Sequence, residues 1–123
     1  MQNGARRVLV VEDDPDLAGL VALTLESEGY EVHAATNGAH ALAAIERHGM
    51  PGVILLDIMM PVMDGFEFAR QFRRRHDHGA RIVVMTAASD ASARAAQVQA
   101  DGWIGKPFEL EDLIAVVARH ATC

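Results

Sequence analysis

Two kinds of hydrophobic pattern follow one another along the chain. Short continuous runs rich in Val, Ile and Leu predict strands that are buried on both faces. Between them, apolar residues recur at helical spacing, which predicts amphipathic helices. The predicted strands are residues 7–11, 30–36, 53–57, 80–86 and 103–105. The second strand alternates more than the others, as is typical of the edge of a sheet.

Turn and cap residues separate these segments and predict five helices. Asp14 and Pro15 open the first, which Gly29 ends, and Asn37-Gly38 opens the second, which ends near Gly49. The third runs from about 64 to 75, the fourth from Ser89 or Asp90 to about 100, and the last from 109 to about 120. We expect the following residues to face inward: Leu17, Leu20, Val21, Thr24, Leu25, Ala41, Leu42, Ile45, Leu110, Leu113, Ile114 and Val117.

Strands that alternate with helices predict right-handed βαβ units. The fold class is therefore α/β, with a parallel sheet covered by helices on both faces. At 123 residues the chain is predicted to form a single domain, residues 1–123, with its core at about 6–121.

Composition narrows the class of protein further. Eleven Lys and Arg against seventeen Asp and Glu give a net charge of −6, which argues against direct nucleic-acid binding. The single cysteine, Cys123, cannot form a disulfide within the chain, which suits a reducing cytoplasm. No apolar run reaches the roughly 18 residues that a membrane span needs, and no signal peptide is recognisable. We therefore expect a cytoplasmic protein without membrane contact.

Polar residues stand where four of the predicted strands end. They are Glu12 and Asp13, Asp57, Thr86, and Lys106. In open parallel sheets, ligands bind at the carboxyl ends of the strands. Three converging carboxylates need a positive charge among them, and oxygen ligands suit Mg²⁺. Together with an ammonium and a hydroxyl group, they predict a phosphoryl-transfer site in which a carboxylate can be the nucleophile.

Four sequence motifs carry a resemblance to a known family. The stretches VLVVEDDPDL, LLDIMMPVMDGFE, VVMTA and GKPF resemble, in order and spacing, those of the bacterial response-regulator receiver domain. The resemblance covers essentially the whole chain. It implies a flavodoxin-like, doubly wound (βα)5 fold with strand order 2-1-3-4-5, similar to the chemotaxis regulators.

The resemblance also implies how the site works. Asp57 would accept a phosphoryl group from a histidine kinase or a histidine phosphotransfer protein. Asp13 would bind Mg²⁺ (with Mn²⁺ as an alternative), Glu12 would do so directly or through water, and Asp57 and the backbone carbonyl of Met59 would complete the ligands. This would make the domain a switch, not a metabolic enzyme, although it would catalyse its own phosphorylation and slow dephosphorylation.

Further roles are implied for residues around the acceptor. Lys106 would hold a phosphoryl oxygen, and its bond to Pro107 would be cis. Thr86 would turn its hydroxyl toward the phosphoryl group while Trp103, which replaces the usual Tyr or Phe, turns inward. As side chains that flank the attacking water, Met59 and Ala88 would set the phosphoryl lifetime.

Three further expectations concern the surface. The fourth helix has only Val98 as a large apolar residue, so weak anchoring predicts that it shifts on phosphorylation. Small and apolar residues on the outer face of the first helix, Gly19, Ala22 and Leu23, suggest docking to a kinase. Gln99 fills a position that is often Gly in the family, so the turn into the fifth strand is expected to differ locally.

Other interpretations fit the residues less well. A haloacid-dehalogenase-type phosphatase would need an acid two residues after its nucleophile, where this chain has Met59. A flavodoxin-like cofactor binder would need a phosphate-binding loop where Glu12-Asp13-Asp14 stands. A degenerate receiver would lack the residues that are present here. The output stays open between a fused domain and a separate protein target, as does dimerisation through residues 90–120.

Overall fold

A five-stranded parallel sheet forms the centre of the molecule, with strand order β2-β1-β3-β4-β5. The structure is a computed structural model that describes residues 6–58, 64–76, 79–87 and 89–121. The strands are β1 (Arg7–Val11), β2 (Glu31–Ala35), β3 (Val53–Asp57), β4 (Arg81–Ala87) and β5 (Gly102–Lys106); the helices are α1 (Pro15–Ser27), α2 (Gly38–His48), α3 (Gly65–Arg75), α4 (Ala91–Gln97) and α5 (Leu110–Ala121). The predicted fold class and strand order are confirmed.

The core is divided by the sheet into two layers, because alternate residues of each strand point to opposite faces. Leu9 and Val11 pack with Phe68 and Phe72 of α3 in the layer that α2, α3 and α4 cover. Val8 and Val10 pack in the other layer, against α1 and α5. β3 is buried along its whole length, so its last residue, Asp57, is held from both sides.

Side chains at the helix starts explain where the chain turns from strand to helix. The Asp14 carboxylate accepts from the backbone N–H of Asp16 at 3.0 Å, and the Asn37 side chain accepts from His40 N–H at 2.9 Å. Asp64 caps α3 in the same way. Asp90 stands at the start of α4 but makes no capping bond with its side chain. Of these four helices, α4 is therefore the one whose N-terminus lacks a side-chain cap.

Several predicted boundaries and burials are wrong in detail. α4 ends at Gln97, short of residue 100, and Gln99 adopts a left-handed conformation with φ +55°. Gln99 thus adopts a conformation that glycine takes more easily, and the expected difference of this turn from the family stays a prediction. Leu20 and Leu110 were expected in the core but are 47% and 37% exposed, because the helices α1 and α5 turn these positions away from the sheet. Within the described ranges, no helix has the length and apolar character needed to cross a membrane.

Candidate phosphoryl-transfer site

Four strands bring the predicted site residues to one edge of the sheet. Glu12 and Asp13 follow β1, Asp57 is the last residue of β3, and Lys106 is the last of β5. Thr86 lies next to the end of β4, where its neighbour Ala87 pairs with Lys106. Because parallel strands all end at the same edge, residues far apart in sequence meet there.

Three carboxylates form the acidic part of the site. Each of Glu12, Asp13 and Asp57 offers an oxygen that lies within 4.8 Å of the others. Glu12 and Asp57 are buried, at 2% and 5% exposure, while Asp13 is exposed. Like charges at this separation repel, and the donors are all oxygen atoms, which is the ligand set that Mg²⁺ prefers. The cluster therefore fits a divalent cation that is open to solvent on the Asp13 side.

Lys106 supplies the positive charge on the other side of the cluster. Its Nζ donates to Oε1 of Glu12 at 2.8 Å and to Oδ2 of Asp57 at 3.4 Å. Burial alone would lower the pKa of the Lys106 ammonium, but the bond to Glu12 and the charge of Asp57 outweigh it, and the pKa is raised. Lys106 thus stays protonated and is placed to grip an anion beside Asp57.

Glu12 is the most perturbed acid of the site. Burial raises the pKa of its carboxyl to about 7, the bond from Lys106 opposes this rise, and the charge of Asp57 adds to it. The other Glu12 oxygen accepts from the backbone N–H of Asp14 at 3.2 Å. Such a strongly shifted acid in a group of charged residues is typical of a functional site.

Thr86 lies on β4, the strand that pairs with the strand of Asp57, and Trp103 lies on β5, one strand further out. Thr86 is 6% exposed, whereas the Trp103 side chain on β5 points outward and is 52% exposed. In the β4–β5 register Thr86 pairs with Gly105, two residues beyond Trp103. The two residues are therefore two register positions apart on adjacent strands, with Thr86 buried and Trp103 about half exposed.

The start of α3 packs tightly on the end of β3. The backbone N–H of Gly65 donates to the carbonyl of Ile58 at 2.9 Å. A Cβ at Gly65 would lie 2.7 Å from Cα of Ile58 and 3.0 Å from the carbonyl oxygen of Asp57. Glycine therefore lets α3 approach the end of β3 closely.

An apolar groove of about 450 Å³ adjoins the site. Its lining comprises two leucines of α1, the last residues of β4 and β5, and residues that lead into α5: Leu17, Leu20, Ala87, Lys106, Pro107, Phe108 and Leu110. Leu20 and Leu110, which sequence periodicity had placed in the core, line this groove instead. Further along α1, Leu23 is 67% exposed.

The sequence predicted the position of the site residues at the strand ends, but it did not predict the contacts between them. These residues are Glu12, Asp13, Asp57, Thr86 and Lys106. The sequence did not indicate that Lys106 binds Glu12 more closely than Asp57, since nothing in the pattern reports side-chain reach. The Lys106–Pro107 peptide bond is cis. Met59 and Ala88, assigned to metal binding and to the phosphoryl lifetime, lie outside the described residues.

The fold and the site together define a class of protein: a doubly wound domain with an acidic, lysine-flanked pocket at the carboxyl ends of its strands. The sequence model of the response regulator receiver domain matches residues 8–118. The chain belongs to this family, the receiver domains of two-component signalling proteins.

Curated relatives and solved structures agree with this assignment. The chain is 36% identical over 119 residues to the DNA-binding response regulator MtrA of Mycolicibacterium smegmatis, covering 95% of this chain and 51% of MtrA. It is 34% identical to the chemotaxis protein CheY4 of Vibrio cholerae, with a TM-score of 0.82 over 93% of this chain and 97% of CheY4. For the response regulator TrrA of Thermotoga maritima, solved in complex with Mg²⁺-BeF, identity is 32% and the TM-score 0.80, over 93% and 97% of the two chains. The chain spans about half the length of the curated relatives it matches.

Proposed function

We propose that this domain accepts a phosphoryl group on Asp57 in a Mg²⁺-dependent reaction and returns to its resting state by slow hydrolysis. The observation that carries the proposal is the position of Lys106, whose ammonium lies 2.8 Å from Glu12 and 3.4 Å from Asp57. A buried acceptor carboxylate with a fixed cation at one side and an open acidic pocket at the other is suited to bind a phosphoryl group. The relative TrrA, solved with Mg²⁺-BeF, supports the choice of metal.

The transfer step follows from the placement of these groups. An oxygen of Asp57 attacks the phosphorus of a phosphohistidine, an O–P bond forms, and the P–N bond breaks with its electron pair leaving on the imidazole. Lys106 binds one phosphoryl oxygen and the Thr86 hydroxyl another. Bound Mg²⁺, held by Glu12, Asp13, Asp57 and the Met59 carbonyl (Mn²⁺ in its place as an alternative), would neutralise charge that develops on the phosphoryl oxygens.

Dephosphorylation is a second displacement at the same phosphorus, with water as the nucleophile and the Asp57 carboxylate as the leaving group. Water attacks, the bond between phosphorus and the Asp57 oxygen breaks, and inorganic phosphate leaves while the carboxylate is regenerated. We assign control of the rate to the side chains at Met59 and Ala88, two residues beyond Asp57 and Thr86. Exchanging either should change the lifetime without abolishing phosphorylation.

We infer that the signal leaves the site through Thr86 and Trp103. When Thr86 turns toward the phosphoryl group it vacates space beside β5, and the exposed Trp103 can turn into it. α4 lies next in the chain after Thr86 and buries only alanines within its own span, Ala91 and Ala95. Because so little apolar area holds it, α4 is the element that we expect to shift.

The partner that supplies phosphoryl groups is proposed to dock on α1 and the apolar groove beside Lys106. Apolar side chains rarely cluster on a surface unless something covers them, and here Leu20 and Leu23 of α1 are exposed next to the pocket. Leu23→Glu should slow transfer from a phosphorylated histidine kinase several-fold while leaving phosphorylation by acetyl phosphate unchanged. Ala43→Glu, which adds the same charge on exposed α2, is the matched control. Equal slowing by both variants would contradict this docking face.

The downstream output is proposed to be protein-mediated, through a fused domain or a separate target. The curated relatives MtrA and TcrA are named as a DNA-binding response regulator and a transcriptional regulatory protein, and the match covers only 51% and 43% of them. These names favour a fused DNA-binding output, with this domain itself making no DNA contact. Phosphorylation-dependent dimerisation through residues 90–120 fits the same output and is tested by sedimentation with and without acetyl phosphate.

The central proposal is tested by incubation with Mg²⁺ and acetyl phosphate followed by intact mass measurement. We expect the mass of one phosphoryl group to be added to the wild type and not to Asp57→Asn. Asp64→Asn, at the exposed cap of α3, controls for loss of a nearby acid. Phosphorylation that persists in Asp57→Asn, or that needs no divalent metal, would overturn the proposal.

A further inference from the structure

A second groove lies between α3 and α4, on the surface formed by Phe66, Ala69, Arg70, Arg73, Arg74 and the residues 97–99. Its volume is about 470 Å³. We propose that this groove, hereafter the α3–α4 groove, binds a peptide segment of a partner protein that carries acidic and apolar side chains. It is separate from the carboxylate cluster, since none of its lining residues is a proposed phosphoryl or metal ligand.

Positive charge is concentrated on one wall of the α3–α4 groove. Arg70, Arg73 and Arg74 all project from α3 into its lining, and Arg74 is exposed. One carboxylate offsets them in part, because Glu67 binds Arg70 through contacts of 2.6 and 3.1 Å. A fourth guanidinium, that of Arg94, lies 5.7 Å from the centre of the Phe66 ring. A chain with net charge −6 thus presents a locally cationic surface, which attracts an acidic partner.

The floor and the opposite wall of the groove add features that carboxylates alone would not need. Phe66 is half-buried and Ala69 and Val98 are buried, which makes the floor apolar. Gln97 and Gln99 stand on the α4 side, and both are exposed. Side-chain amides can both donate to and accept from a peptide backbone. An apolar floor with a cationic wall and an amide wall fits an acidic peptide with apolar side chains at intervals.

Arg73 joins the two walls and fixes the shape of the groove. Its Nη2 donates to the carbonyl of Gln99 at 2.7 Å and to that of Val98 at 3.5 Å. These are carbonyls just beyond the end of α4, where Gln99 has its left-handed conformation. The groove is therefore partly formed before a ligand arrives, which lowers the ordering cost of binding.

A peptide suits these features better than a nucleic acid does. Single-stranded nucleic acids bind through bases that stack on exposed aromatic rings, and the only aromatic residue lining the groove, Phe66, is half-buried and faces Arg94. The chain as a whole carries a net charge of −6, which would repel the flanking phosphates of a nucleic acid. A short acidic peptide, in contrast, would encounter only the positive charge of the arginine side chains in the α3–α4 groove.

Binding in the α3–α4 groove does not require phosphorylation of Asp57. A ligand that contacts both walls would, however, resist movement of α4 relative to α3. If α4 shifts on phosphorylation as proposed above, phosphorylation must change the affinity for the peptide. The bound peptide must then change the phosphorylation equilibrium by the same factor. This last coupling rests on the proposed function, while binding itself does not.

Fluorescence anisotropy tests the proposal with the whole chain and a labelled synthetic peptide in which Glu and Asp alternate with Leu. The unphosphorylatable Asp57→Asn variant is used in parallel, so that failure of the phosphorylation proposal leaves this test intact. We expect saturable binding that weakens with salt and is lost when Gln and Asn replace the acids of the peptide. Arg74→Glu should weaken binding about 5-fold or more, whereas Arg47→Glu, an exposed charge reversal on α2, should leave it unchanged.

Location is tested by ¹H–¹⁵N correlation spectra of the same titration. Amide shifts confined to the ends of α3 and α4, including Arg74 and Gln97, would support the proposal. Shifts confined to α1 and α5, equal losses in the Arg74 and Arg47 variants, or no saturable binding would overturn it. Tighter binding of a single-stranded oligonucleotide than of the peptide would assign the groove to nucleic acid and overturn it as well.

Discussion

Replacing Gly65 by alanine should destabilise the domain, although alanine is the better helix former. Gly65 is the first residue of α3, and an added Cβ would lie 2.7 Å from Cα and 2.9 Å from Cδ1 of Ile58, with the Asp57 carbonyl oxygen at 3.0 Å. Two of these three atoms belong to the backbone and cannot rotate away. α3 must therefore move off the end of β3, and overpacking of this kind costs about 1 to 3 kcal/mol.

The same substitution at Gly19 provides a matched control with the opposite sign. Gly19 lies within α1, is exposed, and has no atom within 4 Å of the position that a Cβ would occupy. Gly19→Ala should therefore stabilise the domain by about 0.5 to 1 kcal/mol through backbone entropy alone. The two variants should then differ by about 1.5 to 4 kcal/mol.

Urea unfolding followed by circular dichroism, in buffer without divalent metal, measures both effects. If the slope of the unfolding free energy against urea concentration is the same in all three proteins, the surface exposed on unfolding has not changed. Gly65→Ala should also slow phosphorylation by acetyl phosphate, because displacement of α3 disturbs the backbone that carries Asp57, whereas Gly19→Ala should not. A Gly65→Ala protein as stable as Gly19→Ala would refute the close-approach argument.

Three further outcomes are expected. Mg²⁺ at about 10 to 100 times its dissociation constant should raise the free energy of unfolding by about 1.4 to 2.7 kcal/mol. Asp13→Asn should remove this stabilisation, whereas Asp16→Asn should retain it. Loss of the stabilisation in both variants would mean that the cation is not held at the cluster. The single tryptophan, Trp103, should become less accessible to iodide quenching on phosphorylation in the wild type but not in Thr86→Ala; unchanged quenching in the wild type would remove Trp103 from the switch. Hydrogen exchange should be faster in α4 than in β3, and phosphorylation should alter it; an α4 as protected as the central strands, and unaffected, would contradict a shift of this helix.

The fold was predictable because local patterns and topology agreed. A continuous apolar run such as Val53–Leu56 is best accommodated by a strand that is covered on both faces, and all five strands are confirmed to within one residue at each end. The strand-end position of Asp57 and Lys106 then followed from the parallel arrangement. Chemistry at one edge of a parallel sheet is therefore open to sequence reasoning before any contact is known.

The features that the sequence did not predict depend on how far side chains reach and on tertiary packing that overrides local helix preference. The alanines after Asp90 favour helix up to residue 100, yet the chain must turn into β5, and it does so through Gln99 in a left-handed conformation. Helical periodicity placed Leu20 in the core, since it cannot tell which edge of an apolar stripe meets the sheet. The bond from Arg73 to the Gln99 carbonyl could not be predicted from spacing, because it depends on how far the side chain reaches between α3 and the end of α4.

The salt bridge between Glu12 and Lys106 joins residues 94 positions apart. A chain still emerging from the ribosome can pair β1 with β2 and β3, but its acidic pocket has no ammonium until β5 has been made and has docked on β4. The proposed phosphorylation of Asp57 therefore requires the chain to be folded through β5. A copy still being synthesised would lack the ammonium on which the proposed phosphoryl transfer depends.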